Sequence, residues 1–294
     1  MDSAPVATLR ILKVTEGGVE YAEDLVAAEE PLALRLGYST PHGREQRELA
    51  VTMRTPGNDL ELALGFLFTE GIVHSAAEVH SLRHCTTAEV GGHVGNVVKI
   101  ELAEGTSFPF HVFQRNTFIS SSCGVCGKAS IEAVRVHVAV SDAPESMRFD
   151  AGLLHTFPST LSAHQRVFGV TGGLHAAALF DAGGALLAVR EDVGRHNAVD
   201  KLIGHALSQN WLPLHERILF LSGRASFELV QKAALAGVRV VCAVGAPSSL
   251  AVRCALEFGI TLVGFLRQQR FNVYSGEHRM LGHCLPVTQE GVTL

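Results

Sequence analysis

The C-terminal third of the chain alternates between apolar runs and helix-like segments, and this alternation limits the possible folds more than any other feature. Residues 218–222, 238–244 and 261–266 are apolar runs typical of buried strands. The first two runs each lead through a short polar loop into a segment with helical periodicity, at residues 227–237 and 250–259. Such an order predicts right-handed crossovers and a parallel sheet covered on its faces.

Ligands of parallel sheets bind outside the carboxyl ends of the strands, and the loops after all three runs fall at that edge. Backbone N–H groups at the helix N-termini can bind phosphate there, and arginine can clamp its oxygens in bidentate fashion. We therefore expect a ligand with several phosphates, although small polar residues in any one loop could simply cap a helix. The side-chain donors in the three loops are Arg224, Ser226, Ser248, Ser249, Arg267 and Arg270.

The nucleotide enzymes with well-known sequence motifs are disfavoured. The chain has no Walker A pattern and no G-x-G-x-x-G after a strand. A zinc-dependent deaminase would need H-x-E followed by P-C-x-x-C. Here 175-HAA-177 has alanine in place of the glutamate, and the single C-x-x-C lies upstream without a proline. Neither ATP hydrolysis nor deamination is expected.

Length and pattern together predict two domains. The chain has 294 residues, 47% of them hydrophobic, which exceeds the usual size of one domain. Residues 1–116 mix strand and helix signals and are expected to form a smaller α+β domain, with strand-like runs at 97–102 and 110–114. Residues 117–294 are expected to form the α/β domain.

The clearest element of the first domain is a helix predicted over residues 58–72. Asn58 is placed to cap its first turn, Glu61 to return a capping-box hydrogen bond, and Gly71 to end it. Leucines recur within it at helical spacing, so the helix is expected to pack against a core.

Charge and hydropathy exclude some partners and places. The formal net charge of −5 argues against bulk binding to nucleic acid or to an anionic membrane. The N-terminus lacks the charged start and apolar run of a signal peptide, and no uninterrupted apolar run reaches about 18 residues. We expect a cytoplasmic protein without a membrane partner, in which the six cysteines do not form a disulfide framework.

The stretch 120-SSSCGVCGKASIEAV-134 presents two cysteines, Cys123 and Cys126, among serines and glycines. This composition is typical of a mobile loop, and three uses of the thiols are open: metal binding, a cycling disulfide, or sulfur carriage. A structural zinc site needs four ligands, and only this pair has ligand spacing, so no metal site is predicted. Lys128 and a following helix N-terminus would favour a thiolate, which could carry sulfur as a persulfide.

A second polar concentration follows at residues 191–202. His196 and Asp200 lie four residues apart, so on a helix they would share a face, and the carboxylate would then raise the pKa of the imidazole and fit it for proton transfer. The alternative is an ordinary helix start with these side chains in water.

Long strings of the chain resemble the formate dehydrogenase accessory sulfurtransferases, the FdhD family. The resemblance covers nearly everything beyond the first thirty residues, and its strings are RTPGNDLELALGF (54–66), SSCGVCGKASIEA (121–133), TGGLHAAALFD (171–181), REDVGRHNAVDKLIG (190–204), SGRASFELVQKAALAG (222–237), APSSLAV (246–252) and FNVYSG (271–276).

This resemblance implies a function and a fold. It implies a sulfur carrier that takes sulfur from a cysteine desulfurase and delivers it to the bis(molybdopterin guanine dinucleotide) molybdenum cofactor, before the cofactor enters formate dehydrogenase. It also implies a cytidine-deaminase-like three-layer domain and a homodimer. A chaperone that binds the cofactor without carrying sulfur is the alternative.

The resemblance also assigns residues. Cys123 matches the persulfide-bearing position and Cys126 the accessory thiol. The cofactor-binding segment, for which guanosine diphosphate (GDP) should serve as a fragment, corresponds to Phe265, Leu266, Arg267, Gln268, Gln269 and Arg270. Smaller residues are expected where the two glutamines stand.

Overall fold

The computed structural model describes residues 4–85, 95–106 and 147–282. The cysteine pair, the strand predicted over 110–114 and the expected domain boundary at 116/117 lie outside the described residues. The sulfur-carrying role of the pair and the two-domain division therefore stay predictions. The described part is a mixed α/β structure with four separate sheets.

The N-terminal part contains a hairpin and a four-stranded sheet. The hairpin is β1 (Val6–Thr15) paired with β2 (Gly18–Ala27), and these two strands form a sheet of their own. The second sheet has the order β4-β3-β6-β5 and packs on helix α1. Its elements are β3 (Glu30–Thr40), β4 (Gly43–Arg54), α1 (Asp59–Thr69), β5 (Val79–His84) and β6 (Val97–Leu102).

Helix α1 confirms the prediction for this segment, but its capping differs. Asn58 adopts a left-handed conformation, with φ of 57°, and its side chain makes no cap hydrogen bond. Glu61 turns away to bind Arg190 of the C-terminal part, so the capping box predicted from the sequence was wrong. Gly71 ends the helix as expected, with φ of 72°.

The C-terminal part is built on a six-stranded sheet with the order β13-β12-β11-β10-β8-β9. The three predicted strands are present and parallel to one another. Strand β8 runs antiparallel to β10, β9 antiparallel to β8, and β13 antiparallel to β12, so the sheet is mixed. Its strands are β8 (His175–Asp181), β9 (Leu186–Asp192), β10 (Arg217–Leu221), β11 (Val240–Ala243), β12 (Thr261–Gly264) and β13 (Asn272–Ser275).

Helices and short segments cover both faces of this sheet. The helices of this part are α2 (Phe157–His164), α3 (Phe168–Thr171), α4 (Arg195–Ser208), α5 (Phe227–Leu235) and α6 (Ser249–Glu257). Buried residues of α4, α5 and α6 form the core on one face, and the other face packs on α2 and on a cluster of aromatic rings, in which Phe157 stacks on Phe180 at 3.9 Å. The short elements are β7 (Phe149–Asp150), β14 (Met280–Leu281) and the 3-10 helices Ala151–Thr156 and Glu277–Arg279.

The two parts of the chain meet where α1 crosses α4. Gly65 and Gly204 stand at the crossing, and a methyl group on either would collide with a backbone carbonyl of the facing helix. Buried ion pairs flank the crossing: Lys232 Nζ lies 2.9 Å from Asp200 Oδ1, whose carboxylate also accepts a hydrogen bond from Thr69. Small residues and paired charges therefore fix α1, and with it the N-terminal part, against α4 and α5.

Within the described ranges, no helix has the length and apolar character needed to span a bilayer. The same ranges contain no group of three or more histidine, cysteine or acidic side chains arranged to hold a metal ion.

Candidate functional site

The three loops after β10, β11 and β12 lie side by side at one edge of the sheet, as the sequence predicted. Backbone hydrogen bonds join them: Gly245 N–H donates to the Gly223 carbonyl at 2.8 Å, and Phe265 N–H donates to the Gly245 carbonyl at 3.1 Å. Gly245 permits this contact because a Cβ there would lie 2.9 Å from the Cα of Arg224. The carboxyl edge of the sheet is therefore one continuous surface.

The predicted donors of the first two loops have different surroundings. Arg224, Ser248 and Ser249 are exposed at this edge. The Ser248 hydroxyl accepts the Ala251 N–H at 3.2 Å and so caps α6, which is the alternative that its sequence position left open. Ser226 is partly buried, with its hydroxyl 3.4 Å from His196 Nε2.

The third loop is a tight turn that presents its side chains outward. Arg267 N–H donates to the carbonyl of Arg270 at 2.9 Å, which closes the turn. The guanidinium of Arg267 donates to the Val244 carbonyl at 2.6 Å, so this side chain is held against the second loop. Phe265 has a left-handed backbone, with φ of 53°, and Leu266 is fully buried and anchors the turn in the core.

This turn forms one wall of a groove of 870 Å³. The opposite wall is one side of α2, with Pro158, Ser159, Ser162 and Ala163, none of which was singled out from the sequence. The turn contributes Arg267, Gln268, Gln269 and Arg270. Two guanidinium groups and two serines beside an open groove can bind a polyphosphate, and we refer to it below as the arginine groove.

The guanidinium of Arg270 is the less constrained of the two. Within the described ranges it makes no side-chain hydrogen bond or ion pair, whereas Arg267 is bound to Val244. His155 packs against the turn. Its Nδ1 lies 3.2 Å from the carbonyl oxygen of Arg267, and its ring centroid lies 5.2 Å from that of Phe271. Arg270 is therefore the side chain best placed to meet a ligand phosphate.

A buried acid–base pair lies near this edge, at the N-termini of α4 and α5. His196 Nε2 is 3.1 Å from Glu228 Oε2. Burial raises the pKa of Glu228 to about 7, and the positive charge of Lys232 opposes that rise. Burial, together with the charges of Arg195 and Lys232, lowers the pKa of His196 to about 3. Near neutral pH the imidazole is therefore uncharged, and a protonated Glu228 can donate to its Nε2.

Neither of the two interpretations that the sequence left open describes His196 and Asp200, since the two side chains do not pair and Asp200 is buried rather than in water. Asp200 faces α1 and α5 instead, where it accepts hydrogen bonds from Thr69 and Lys232. Although burial opposes it, the carboxylates of Asp200, Glu70 and Glu228 raise the pKa of Lys232. The pKa of His196 falls rather than rises because cations and burial, not a carboxylate on its own helix, control it.

The described cysteines are not candidates for sulfur chemistry. Cys85, Cys242 and Cys254 are all buried. Burial raises the pKa of the Cys242 thiol far above its usual value and that of Cys254 to about 12, so both remain thiols at neutral pH.

A mixed α/β fold with an arginine groove at the carboxyl edge of its sheet is typical of a protein that binds a phosphate-bearing ligand. The chain belongs to the FdhD/NarQ family, whose sequence profile matches residues 27–281.

Curated relatives extend over most of the chain. It is 50% identical over 274 residues to the sulfur carrier protein FdhD of Streptomyces avermitilis, which covers 92% of this chain and 94% of that protein. It is 39% identical over 276 residues to the sulfur carrier protein FdhD of Sulfurisphaera tokodaii, covering 94% and 99%.

A solved structure is similar in fold. The crystal structure of a candidate formate dehydrogenase accessory protein from Desulfotalea psychrophila matches with a TM-score of 0.70 and 22% identity, and the match covers 94% of this chain and 99% of that one. At this identity the likeness concerns the fold alone.

Proposed function

We propose that this protein is a sulfur carrier in the maturation of formate dehydrogenase. It takes sulfur from a cysteine desulfurase as a persulfide on Cys123 and transfers it, in the cytoplasm, to the molybdenum cofactor in its bis(molybdopterin guanine dinucleotide) form. The family and the relatives named as sulfur carriers support this role. The observation that carries it is the arginine groove, which suits a substrate bearing two pyrophosphates.

The loading step needs no redox partner. The Cys123 thiolate attacks the terminal sulfur of the persulfide on the desulfurase. A new S–S bond forms on Cys123, the S–S bond of the donor breaks, and the desulfurase cysteine leaves as a thiolate. Cys126 is the accessory thiol in this proposal.

The cofactor is held at the carboxyl edge of the sheet, through the segment from Phe265 to Arg270 with Arg224, Ser226, Ser248 and Ser249 near it. The architecture of this part is that of a cytidine-deaminase-like domain. His175 does not take a deaminase-like role, because 175-HAA-177 has alanine in place of the glutamate that deaminases need.

The proposal predicts that Cys123→Ala abolishes sulfur transfer and that Cys126→Ala impairs it less. Formate dehydrogenase activity in a null strain complemented with each variant is the measurement. Cys242→Ala is the matched control, because that thiol is buried in β11, and it should retain transfer. Full activity with Cys123→Ala would contradict the persulfide mechanism.

A chaperone that only binds the cofactor is the second candidate, favoured by the groove alone. Intact-mass analysis after incubation with desulfurase and cysteine separates the two. A sulfur carrier gains a sulfur adduct that a thiol reductant removes, and a chaperone does not.

We also propose that the protein is a homodimer, with the β1–β2 hairpin at the interface. One face of the hairpin carries Leu12, Val14, Val19 and Tyr21, which are 55%, 69%, 63% and 71% exposed. An isolated two-stranded hairpin is marginally stable in water, so its partner should be present whenever the chain is folded.

A second copy of the chain meets that condition. Arg10 and Glu23 stand opposite each other on the same face, so a two-fold axis that passes close to this pair can set each against the opposite charge on the other copy.

A further inference from the structure

The β1–β2 hairpin is a straight arm with one open apolar face. Its residue pairs run in unbroken register from Val6–Ala27 at the base to Thr15–Gly18 at the tip. At about 3.4 Å per residue the arm is about 30 Å long. Toward the tip the face carries four apolar side chains, each more than half exposed: Leu12, Val14, Val19 and Tyr21. A contiguous apolar surface of this kind marks an interaction site.

The base of the same face is covered by the protein's own helix α3. A Cβ added to Gly173, just after α3, would lie 3.5 Å from the Cβ of Ala27, whose side chain points to the same side of the arm as Tyr21. Helix α3 therefore packs against β2. The Glu191 carboxylate accepts the backbone N–H groups of Val167 at 3.1 Å and Phe168 at 2.8 Å, which fixes the start of α3. The arm is thus covered at its base and open toward its tip.

Helix α3 adds apolar side chains of its own to this open surface. Phe168 is 40% exposed and Val170 is 54% exposed. Phe168 also borders a cavity of 510 Å³, which shares Pro158 with the arginine groove. Helix α3 is therefore both a step at the base of the arm and part of the rim of a cavity beside the proposed site.

Helix α3 decides how two such arms can pack face to face. Packed sheets lie about 10 Å apart, which leaves room for one layer of side chains. If the arms ran in the same direction, the two copies of α3 would meet in that space and hold the apolar tips apart. If the arms run in opposite directions, each tip faces the base of the other arm, and the space holds one helix at each end. The second arrangement therefore buries the tips.

The positions along the arm fit the second arrangement. A two-fold axis close to Arg10 and Glu23 lies about 17 Å from the tip pair Thr15–Gly18 and about 14 Å from the base pair Val6–Ala27. The tip of one arm thus reaches the base of the other, where α3 lies. Near the axis, the Arg10 guanidinium of one copy and the Glu23 carboxylate of the other can pair.

We infer that each arm packs on α3 of a second copy of the chain, with Val14 and Val19 of the tip against Val170, at the rim of that copy's cavity. The inference rests on the proposed homodimer and adds the surface on which each arm ends. Each cavity is then bordered by residues of both copies, so the dimer, and not the single chain, forms the complete rim.

Disulfide cross-linking tests this contact. In a variant with Val14→Cys and Val170→Cys, oxidation should convert most of the protein into a covalent dimer, seen on a non-reducing gel and reversed by a reductant. Val14 lies about 27 Å from the base of its own arm, whereas the two Cα atoms of a disulfide lie within about 7 Å of each other. The link therefore forms only between two copies. Val19→Cys with Val170→Cys repeats the test from strand β2.

Lys13→Cys with Val170→Cys is the matched control, because Lys13 points to the opposite face of the arm. It should give about tenfold less covalent dimer. The single variants measure the background from the native cysteines, and mass spectrometry of the linked peptides identifies the bond. A bond between the two copies of Val170→Cys would mean that α3 meets α3, and it would overturn the inference. The absence of a link in both double variants would do the same.

Two further measurements separate this contact from the proposals on which it rests. If light scattering showed a monomeric wild type, both the homodimer and the arm contact would be wrong, whereas a dimer without the cross-link would refute the contact alone. Persulfide loading of the wild type by the desulfurase tests the sulfur carrier by itself, because that step takes place at Cys123. A protein that cross-links but cannot be loaded would refute the sulfur carrier and support the contact.

Discussion

The raised pKa of Glu228, which lies against His196 near the site, makes the stability of the protein depend on pH. A carboxyl group whose folded-state pKa is about 7 binds its proton more tightly in the folded chain than in the unfolded chain. Ionisation of Glu228 in the folded chain therefore lowers the free energy of unfolding. This loss is absent at pH below about 4.5, grows as the pH rises toward 7, and is complete above that. The sign follows because the folded state, not the unfolded state, holds the extra proton in this window.

Glu228→Gln should therefore stabilise the protein relative to wild type at pH 8 more than at pH 5. The amide removes the ionisation and can still donate to His196. The gain at pH 8 over pH 5 should not exceed about 3 kcal/mol, at about 1.4 kcal/mol per pKa unit. Urea denaturation at both pH values measures it, with the exposed Glu216→Gln as control. A gain that shrinks with rising pH would contradict the raised pKa.

Arg270 offers a second test at the residue scale. Replacing it with alanine should weaken GDP binding by about 1.5–3 kcal/mol, roughly tenfold to hundredfold, the range for a hydrogen bond to a charged group. Calorimetry at two salt concentrations measures it, and the wild-type affinity should fall as salt rises.

Arg217→Ala is the matched control, since Arg217 begins β10, at the other end of the strand from the site. Persulfide loading should survive in Arg270→Ala. If GDP affinity were the same in Arg270→Ala and in wild type, the turn would not be the phosphate site.

The hydrogen-bond and ion-pair partners of individual side chains were the feature least predictable from the sequence. Asp200 binds Thr69 and Lys232, which come from helices far away in the sequence, so local spacing carried no sign of them. The role of Ser248 as a cap was local, and the sequence included it among the alternatives.

Elements were more predictable, because periodicity and turn residues are local signals. The strand–helix alternation from β10 to β12 follows the apolar runs closely, although the strand expected over residues 238–244 is limited to Val240–Ala243. The directions of β8 and β13, which run against the three parallel strands, were not anticipated, since a short apolar run does not state its direction. The edge at which the loops meet follows from the parallel strands alone.

The crossing of α1 and α4 supplies the test at the element scale. Gly65→Ala should destabilise the protein by roughly 2–3 kcal/mol or more, because the added methyl meets the backbone carbonyl of Asp200, and backbone cannot move aside as a side chain can. Denaturation midpoints measure the loss. Gly169→Ala, where an added Cβ meets no atom within 4 Å, should be close to neutral. An equal loss of stability in Gly65→Ala and Gly169→Ala would mean that α1 and α4 can move apart to accommodate the added methyl group.

At the scale of the whole molecule, the hairpin tests the proposed dimer. Leu12→Ser combined with Tyr21→Ser should shift the protein from dimer to monomer, because it removes two large apolar groups from the exposed face. Light scattering after size-exclusion chromatography measures the mass. Lys13→Ser with Glu20→Ser alters the opposite face of the same strands and should leave a dimer. A monomeric wild type at micromolar concentration would contradict the interface.

The paired glycines at the helix crossing also bear on how the chain is made. Helix α1 leaves the ribosome well before α4, so its smooth face and the hydroxyl of Thr69 first meet water. Newly made N-terminal segments thus remain with this face of α1 uncovered until α4 has been synthesised, and during that interval they are exposed to aggregation and to chaperones. Slowing translation between the two helices would lengthen that interval without altering a single contact of the finished protein.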